Sequence, residues 1–468
     1  MTSHKTRNLY VVLMVFIVVV SCSGSGEAFH NLLTQFERGI GRGAAPELVK
    51  QYGGEYVLPI QERLWLDEIF RRLVDVTKRT EIEYTLTVLN TQEMNAFALP
   101  GGYIFVTRGL LRAVGNDESQ VAAVLGHEIA HVECKHGLNA VLRQMGLTVL
   151  MEVGMFWLDM ASTEIVRIAS TTALQLLQLG WGREAEYEAD ILGQEYAVEA
   201  GFDGAGSVLL MDYLLQIESA DQPLRVFRTH PESYERRERV AANLLSFWSS
   251  PQKISDQEWL EVLNSRRNSI LDPRMDPMGR FVLTVERNSS FQWGLEIEDT
   301  QQDLALTWLP DHKVFDAAWS PDGKYLAVIV EEKETKGLWL IDRMGNVAKK
   351  LRHYSDRHVE EVVWSPQGNM VAMTVSDGTH SDIVVGYLAG NVDIAVSQGK
   401  SGSQPIWCDD GIGFVGSGGS YFVRSPDVQP VVIHNPVPRV VERKTFLSPT
   451  VIREGNTITL TRPKLSVP

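Results

Sequence analysis

Cysteine is scarce. Three residues in 468, Cys22, Cys134 and Cys408, are too few and too scattered to make a disulfide framework. Uninterrupted apolar runs are short. Leu9 to Val20 counts twelve residues, well below the roughly 20 that a helix needs to span a bilayer. Leu147 to Met160 is strongly apolar, but Glu152 and Asp159 interrupt it. Basic charge is also in deficit. The 44 Lys and Arg stand against 59 Asp and Glu, and the net charge is −15. No basic stripe offsets that balance, which excludes a nucleic-acid-binding role. With 44% hydrophobic and 22% charged residues, the chain reads as globular, of a length that suits two or three domains.

The first residues read as targeting signal. Lys5 and Arg7 precede the twelve-residue apolar core, the pattern of a secretory signal peptide over residues 1–21. Val19-Val20-Ser21-Cys22 resembles a bacterial lipobox, which implies a lipid anchor on Cys22. Ser23-Gly24-Ser25-Gly26 then completes a flexible tether over 22–26. Serine rather than aspartate after Cys22 points, by the sorting rule of some Gram-negative bacteria, to the outer membrane.

What is present is a short motif with chemistry in it. His127-Glu128-Ile129-Ala130-His131 sets two imidazoles four residues apart, hence on one face of a helix. Two such imidazoles can hold Zn²⁺, and Glu128 between them can serve as general base toward a water at the metal. Asn116 or Asp117 offers an N-cap and Gly137 a C-cap for this helix. Downstream, Glu186 and Asp190 also stand one turn apart. A catalytic zinc commonly takes two histidines and one glutamate. Glu186 fits as third ligand, and Asp190 as the carboxylate that receives the free N–H of a ligating histidine. Glu184 and Glu188 read as a solvated face of the same helix. Cys134, three residues past His131, reads as a core thiol rather than a fourth ligand, because a closed site would lose its water.

Together these motifs resemble the gluzincin zinc peptidases of the HtpX/BepA type. Asn95-Ala96-Phe97-Ala98-Leu99-Pro100-Gly101-Gly102-Tyr103-Ile104-Phe105-Val106 and Gly109-Leu110-Leu111 resemble that family's run before the active-site helix. Glu186-Tyr187-Glu188-Ala189-Asp190-Ile191-Leu192-Gly193 and Ala200-Gly201-Phe202-Asp203 resemble the stretch around its third ligand. Thr229-His230-Pro231, with Arg236 six residues past the histidine, resembles its late His-Pro segment. The likeness spans about residues 30–245. It implies that His230 lies over the metal cleft, either plugging the open zinc position or stabilising the oxyanion at the attacked carbonyl.

The spacing places the peptidase domain at 27–262. A helical stripe runs through 61–79, and Glu83–Leu89 and Gly102–Thr107 alternate like strands, with Pro100-Gly101-Gly102 as a turn. The second strand is expected beside the metal cleft, where an exposed edge would add a substrate backbone. Residues 147–160 are expected to form part of a buried or cleft-covering helix pair, with membrane contact as the other possibility. A connecting helix follows from Ser255 or Asp256 to Arg267.

Beyond residue 263 the pattern changes. Trp319-Ser320-Pro321-Asp322-Gly323, Trp364-Ser365-Pro366-Gln367-Gly368 and Trp407-Cys408-Asp409-Asp410-Gly411 repeat, with weaker copies at Gly279 and Gly455. The glycine intervals are 44, 45, 43 and 44 residues, the period of four-stranded propeller blades. The pattern resembles TolB-type propellers, so 263–468 is expected to be a region of four or five blades that docks a partner or substrate.

The expectation is therefore an α+β chain. A mostly helical zincin-type metallopeptidase domain with a small β-sheet precedes an all-β propeller-like domain. The family resemblance implies a zinc metalloendopeptidase of the bacterial envelope, clipping unfolded or misassembled exported proteins, and the lipobox resemblance implies a lipid anchor on the periplasmic side. The alternative is a chaperone-like assembly or binding factor with minor proteolysis.

Overall fold

The computed structural model describes residues 26–145, 163–218, 230, 234–268, 275–287, 293–302, 304–332, 334–352, 354–388, 392–426, 450–454 and 457–461. The signal segment 1–21, Cys22, the apolar stretch 147–160, Thr229, Pro231 and Gly455 lie outside them. Two compact units divide the chain at Val431 and Val432. Among the described residues no helix is long and apolar enough to cross a membrane.

The first unit begins with helices. α1 (Gly26–Gln51) and α2 (Ile60–Asp75) lead into strands β1 (Thr85–Leu89), β2 (Ala96–Leu99) and β3 (Tyr103–Thr107). The sheet order is β1-β3-β2. Strand β3 is central, parallel to β1 and antiparallel to β2. The expectation of 102–107 as the strand with a free edge is thus corrected: β2 is the edge strand beside the active-site helix. Alternation cannot reveal Ala96-Phe97-Ala98-Leu99 as a strand, because all four residues are buried. Gly101 and Gly102, at φ 86° and 93°, make the β2–β3 turn in a backbone region that other residues rarely enter.

α3 (Arg108–Val114) is followed by α4 (Glu118–Glu133), α5 (His136–Met145), α6 (Thr163–Leu179), α7 (Arg183–Glu199), α8 (Ala205–Glu218) and α9 (Tyr234–Asn243). Asp117 is the N-cap of α4, accepting from Ser119 N at 3.0 Å and Gln120 N at 3.1 Å. The C-terminus differs from the expected Gly137 cap. Helix α4 ends at Glu133, Lys135 takes the left-handed conformation at φ 56°, and Gly137 lies inside α5. A Cβ on Gly137 would stand 2.9 Å from the Pro100 ring, so this glycine serves close packing instead. Helices α2, α4 and α7 close over the sheet around Leu66, Ile69, Leu73, Ile104, Leu125 and Ile129.

The β region consists of antiparallel sheets in sequence order. β5 (Phe281–Arg287), β6 (Trp293–Asp299) and β7 (Leu304–Trp308) form one. β8 (Val314–Trp319), β9 (Tyr325–Glu332), β10 (Thr335–Asp342) and β11 (Val347–Arg352) form the next. β12 (His358–Trp364), β13 (Met370–Ser376), β14 (Ser381–Tyr387) and β15 (Val392–Ala395) form a third. In the fourth, β16 (Gly402–Cys408), β17 (Gly411–Gly416) and β18 (Gly419–Arg424) are joined by β4 (Gln252–Ile254), which precedes the first sheet in sequence. These are the blade-like sheets that the repeat predicts. The serine of the repeat has a defined task. Ser320 and Ser365 accept from the backbone N–H five residues on, at 3.0 and 3.1 Å, while Gly323 and Gly368 take φ 65° and 74°. Gly411 differs, pairing directly with Cys408 across a two-residue turn.

The fourth sheet also receives α10 (Asp256–Asn268), whose Val262 packs on Ile406 and Cys408. A buried cluster joins the helices to the sheets. Val208, Met211, Val240, Leu244 and Trp248 pack with Ile383, Val385, Trp407 and Phe414. The position 262/263, expected as a domain boundary, therefore falls within a helix, and side chains on both sides of it share one core. The second unit contains the antiparallel pair β19 (Thr450–Glu454) and β20 (Thr457–Thr461).

Candidate active site

Two glycines set the site. Helices α4 and α7 cross where Gly126 meets Gly193. A Cβ on Gly126 would stand 2.6 Å from Gly193 O, and one on Gly193 would stand 2.6 Å from His127 N. The backbones touch because neither residue has a side chain. That contact brings His127 and His131 on α4 against Glu186, one to two turns N-terminal of Gly193 on α7.

One donor atom from each of His127, His131, Glu186 and His230 lies within 4.8 Å of the others. His127 and His131 face each other through Nε2 at 3.1 Å. Glu186 Oε1 is 3.5 Å from His131 Nε2, and its Oε2 is 3.7 Å from His127 Nε2. His230 enters the same cluster, its Nδ1 3.1 Å from Glu186 Oε1 and 3.3 Å from His127 Nε2. Its Nε2 lies 3.5 Å from Glu128 Oε1. Five of the residues expected from the sequence are thus brought together, and the sixth, Asp190, stands behind His127.

The surroundings orient these groups. Asp190 Oδ1 is 3.0 Å from His127 Nδ1, so the Nδ1 proton points at a carboxylate and Nε2 is left for a metal. Arg236, known from the sequence only through the late His-Pro resemblance, is the link among the carboxylates. It donates to Asp190 through Nε at 2.8 Å and Nη2 at 2.7 Å, and its Nη1 lies 2.8 Å from Glu186 Oε2. His136 was not foreseen at all. Its Nδ1 is 2.8 Å from His131 Nδ1, the counterpart for His131 of what Asp190 is for His127. Five residues past His131, it falls off the i, i+4 face that motif reading follows. Trp181 stacks on the His131 ring at 5.0 Å between centroids.

Burial and charge pull these groups apart electrically. Burial pushes the Glu128 carboxyl up, against the opposing pull of His230 and His127. Burial also works against ionised Glu186, yet His230, His131 and His127 hold it far below the ordinary carboxylate range. Asp190 is held low in the same way by Arg236 and His127. Burial drives His131 well down. Burial opposes charge on His230, but the Glu186 and Glu128 carboxylates outweigh it and raise its pKa to about 9. A cluster that attracts a proton to its centre attracts a cation there as well.

The donors fit Zn²⁺. Two imidazoles and one carboxylate converge from three sides, the set that leaves one position open in catalytic zinc sites. Glu128 is 2% exposed, and its Oε2 has no hydrogen-bond partner among the described residues, an orphaned buried acceptor beside the convergence point. An apolar pocket opens next to it, walled by Leu110, Val124, Leu210, Met211 and Leu214.

Comparison with known proteins agrees with this geometry. Residues 60–243 match the model of Peptidase family M48. The mitochondrial metalloendopeptidase OMA1 of Schizosaccharomyces pombe is 27% identical over 216 residues, covering 45% of this chain and 62% of that protein. The beta-barrel assembly-enhancing protease of Escherichia coli K12 is 27% identical over 304 residues, covering 62% of this chain and 61% of that protein. The chain thus spans about three fifths of the length of these relatives. Among solved structures, putative TolB from Agrobacterium tumefaciens is 16% identical with a TM-score of 0.27, covering 33% of this chain and 55% of that one. TolB from Acinetobacter baumannii is 14% identical with a TM-score of 0.26, covering 34% and 44%. The blade-like character of the β region is seen in its own antiparallel sheets. Residues 60–243 are thus similar to peptidase family M48, and the convergence of His127, His131 and Glu186 suits Zn²⁺ as the metal.

Proposed function

We propose that the chain is a zinc-dependent endopeptidase of the bacterial cell envelope, acting on misfolded or misassembled exported proteins. The observation that carries the reading is the buried, unpartnered Oε2 of Glu128 beside His127, His131 and Glu186. A purely structural metal would have no use for it. When bound, zinc supplies Lewis acidity that polarises a peptide carbonyl and makes water a better nucleophile. His127, His131 and Glu186 would hold it, with Asp190 and His136 fixing the two imidazoles. Glu128 Oε2 takes the proton of the attacking water and delivers it to the nitrogen of the leaving amine. Its raised affinity for a proton suits both halves of that transfer. The neighbouring apolar pocket receives a side chain of the substrate.

His230 is the restraint. Its ring occupies the ligand cluster and reaches Glu186, His127 and Glu128 at once, which supports a plug that substrate displaces. The β region holds a partner or substrate. Cys22 carries the lipid that tethers the protein to the outer membrane on its periplasmic side. The reading of envelope proteins as substrates draws on the beta-barrel assembly-enhancing protease among the relatives.

The test compares wild type with Glu128→Gln on unfolded envelope proteins, with zinc content measured in both. The variant keeps its zinc and loses cleavage. Equal cleavage by the two proteins would sink the assignment.

A further inference from the structure

A second set of metal donors lies behind the first. Between α4 and α5, the left-handed Lys135 separates Cys134 from His136, and both face Glu188 on α7. One donor atom from each of Cys134, His136 and Glu188 lies within 4.8 Å of the other two. His136 directs Nε2 to Glu188 Oε2 at 3.2 Å and Nδ1 to His131 Nδ1 at 2.8 Å. The Glu188 side chain is 62% exposed, so the group can be reached from solvent. Three different donor types, from the α4–α5 junction and from α7, converge here, on the side of His131 away from Glu186.

We propose that Cys134, His136 and Glu188 form a second metal site for a thiophilic divalent cation, Zn²⁺ or Cd²⁺, whose occupancy opposes metal binding at His131. Thiolate, imidazole and carboxylate are all zinc ligands, and a water completes the tetrahedron. Calcium and magnesium prefer all-oxygen sets, so the sulfur and nitrogen select against them.

The opposition follows from proton count. A neutral imidazole carries one N–H. Metal on His131 Nε2 leaves the proton on Nδ1, where it is donated to His136 Nδ1. Metal on His136 Nε2 leaves that ring's proton on Nδ1 too. The two N–H groups then meet across 2.8 Å, with no acceptor between them. Each metal therefore weakens the other, and by linkage equally. This coupling rests on His131 holding the first metal; the second site does not.

The experiment titrates Cd²⁺ into the full chain, both metal-free and preloaded with one equivalent of Zn²⁺. Sulfur-to-cadmium charge-transfer absorption reports Cys134, and a chromophoric chelator reports released zinc. Wild type should show a band that Cys134→Ser lacks. It should also lose zinc about tenfold faster than that variant, the effect of one hydrogen bond turned to repulsion. Glu188→Gln, exposed and safe for folding, should weaken Cd²⁺ binding while keeping the thiol. A band undiminished in Cys134→Ser, or Cd²⁺ affinity unchanged in Glu188→Gln, overturns the site. Equal zinc loss in wild type and Cys134→Ser overturns the coupling. Failure of the chain to hold zinc at His127, His131 and Glu186 would instead count against the peptidase reading, since the band is read without that zinc.

Discussion

Asp190 Oδ1 stands 3.0 Å from His127 Nδ1, and that single contact decides which nitrogen of His127 faces Glu186. Removing it lets the ring change tautomer. Asp190→Ala should lower zinc affinity or kcat/KM by roughly 10–100-fold without abolishing either. Arg236→Ala should be worse, because two buried carboxylates, Asp190 and Glu186, lose a shared cation; a buried pair broken on one side costs about 3–5 kcal/mol. Arg236→Lys should rescue little, since an ammonium cannot span both carboxylates as the guanidinium fork does. Zinc titration and thermal unfolding measure both effects.

The glycine crossing makes a second prediction. A methyl group on Gly193 would lie 2.6 Å from His127 N, against backbone that cannot step aside. Gly193→Ala should push α7 away from α4, widening the ligand triangle while leaving every ligand in place. Zinc affinity should fall by at least tenfold with helix content retained. A variant that binds zinc like wild type would show that the helices separate at no cost.

His230 distinguishes restraint from catalysis by sign. As a plug, its replacement by alanine should raise basal cleavage of a short unfolded peptide. As a stabiliser of the transition state, the same change should lower kcat by roughly 10²–10³. We expect the rise. Steady-state rates of His230→Ala, measured with zinc content held equal, give the answer.

Trp248 tests the shared core. It is 4% exposed, meets Trp407 edge-on at 6.1 Å and donates from Nε1 to Tyr387 Oη at 3.1 Å. Trp248→Ala should destabilise the protein by about 3–5 kcal/mol. Because Met211 belongs to that core and also lines the pocket beside Glu128, zinc binding and the β-sheet signal should be lost in one transition. Two separate transitions would show independent folding of helices and sheets.

What could be read in advance divides along physical lines. His127, His131, Glu186 and Asp190 were legible because each pair obeys the one-turn spacing of a helix. The blade turns were legible because a serine and a left-handed glycine recur at fixed offset. Gly126 and Gly193 were not, since a close helix crossing joins residues 67 apart and leaves no local periodicity. Strand β2 was hidden by being buried on both faces. Lys135 hid the end of α4, because the left-handed cap is a lysine where glycine is the usual signal. Three-residue β4 carried no pattern of its own, and only its pairing with β18 shows where it belongs.

That pairing has a consequence for the order of synthesis. Strand β4 leaves the ribosome before any of the sheets β5 to β17, yet its partner β18 comes last among them. Until then β4 has no ladder, and Val208, Val240, Leu244 and Trp248 have no sheet to cover them. The wall of the cleft that includes Met211 is finished only when those sheets arrive. The zinc ligands therefore come earlier in the chain than the strands that complete the wall of the cleft.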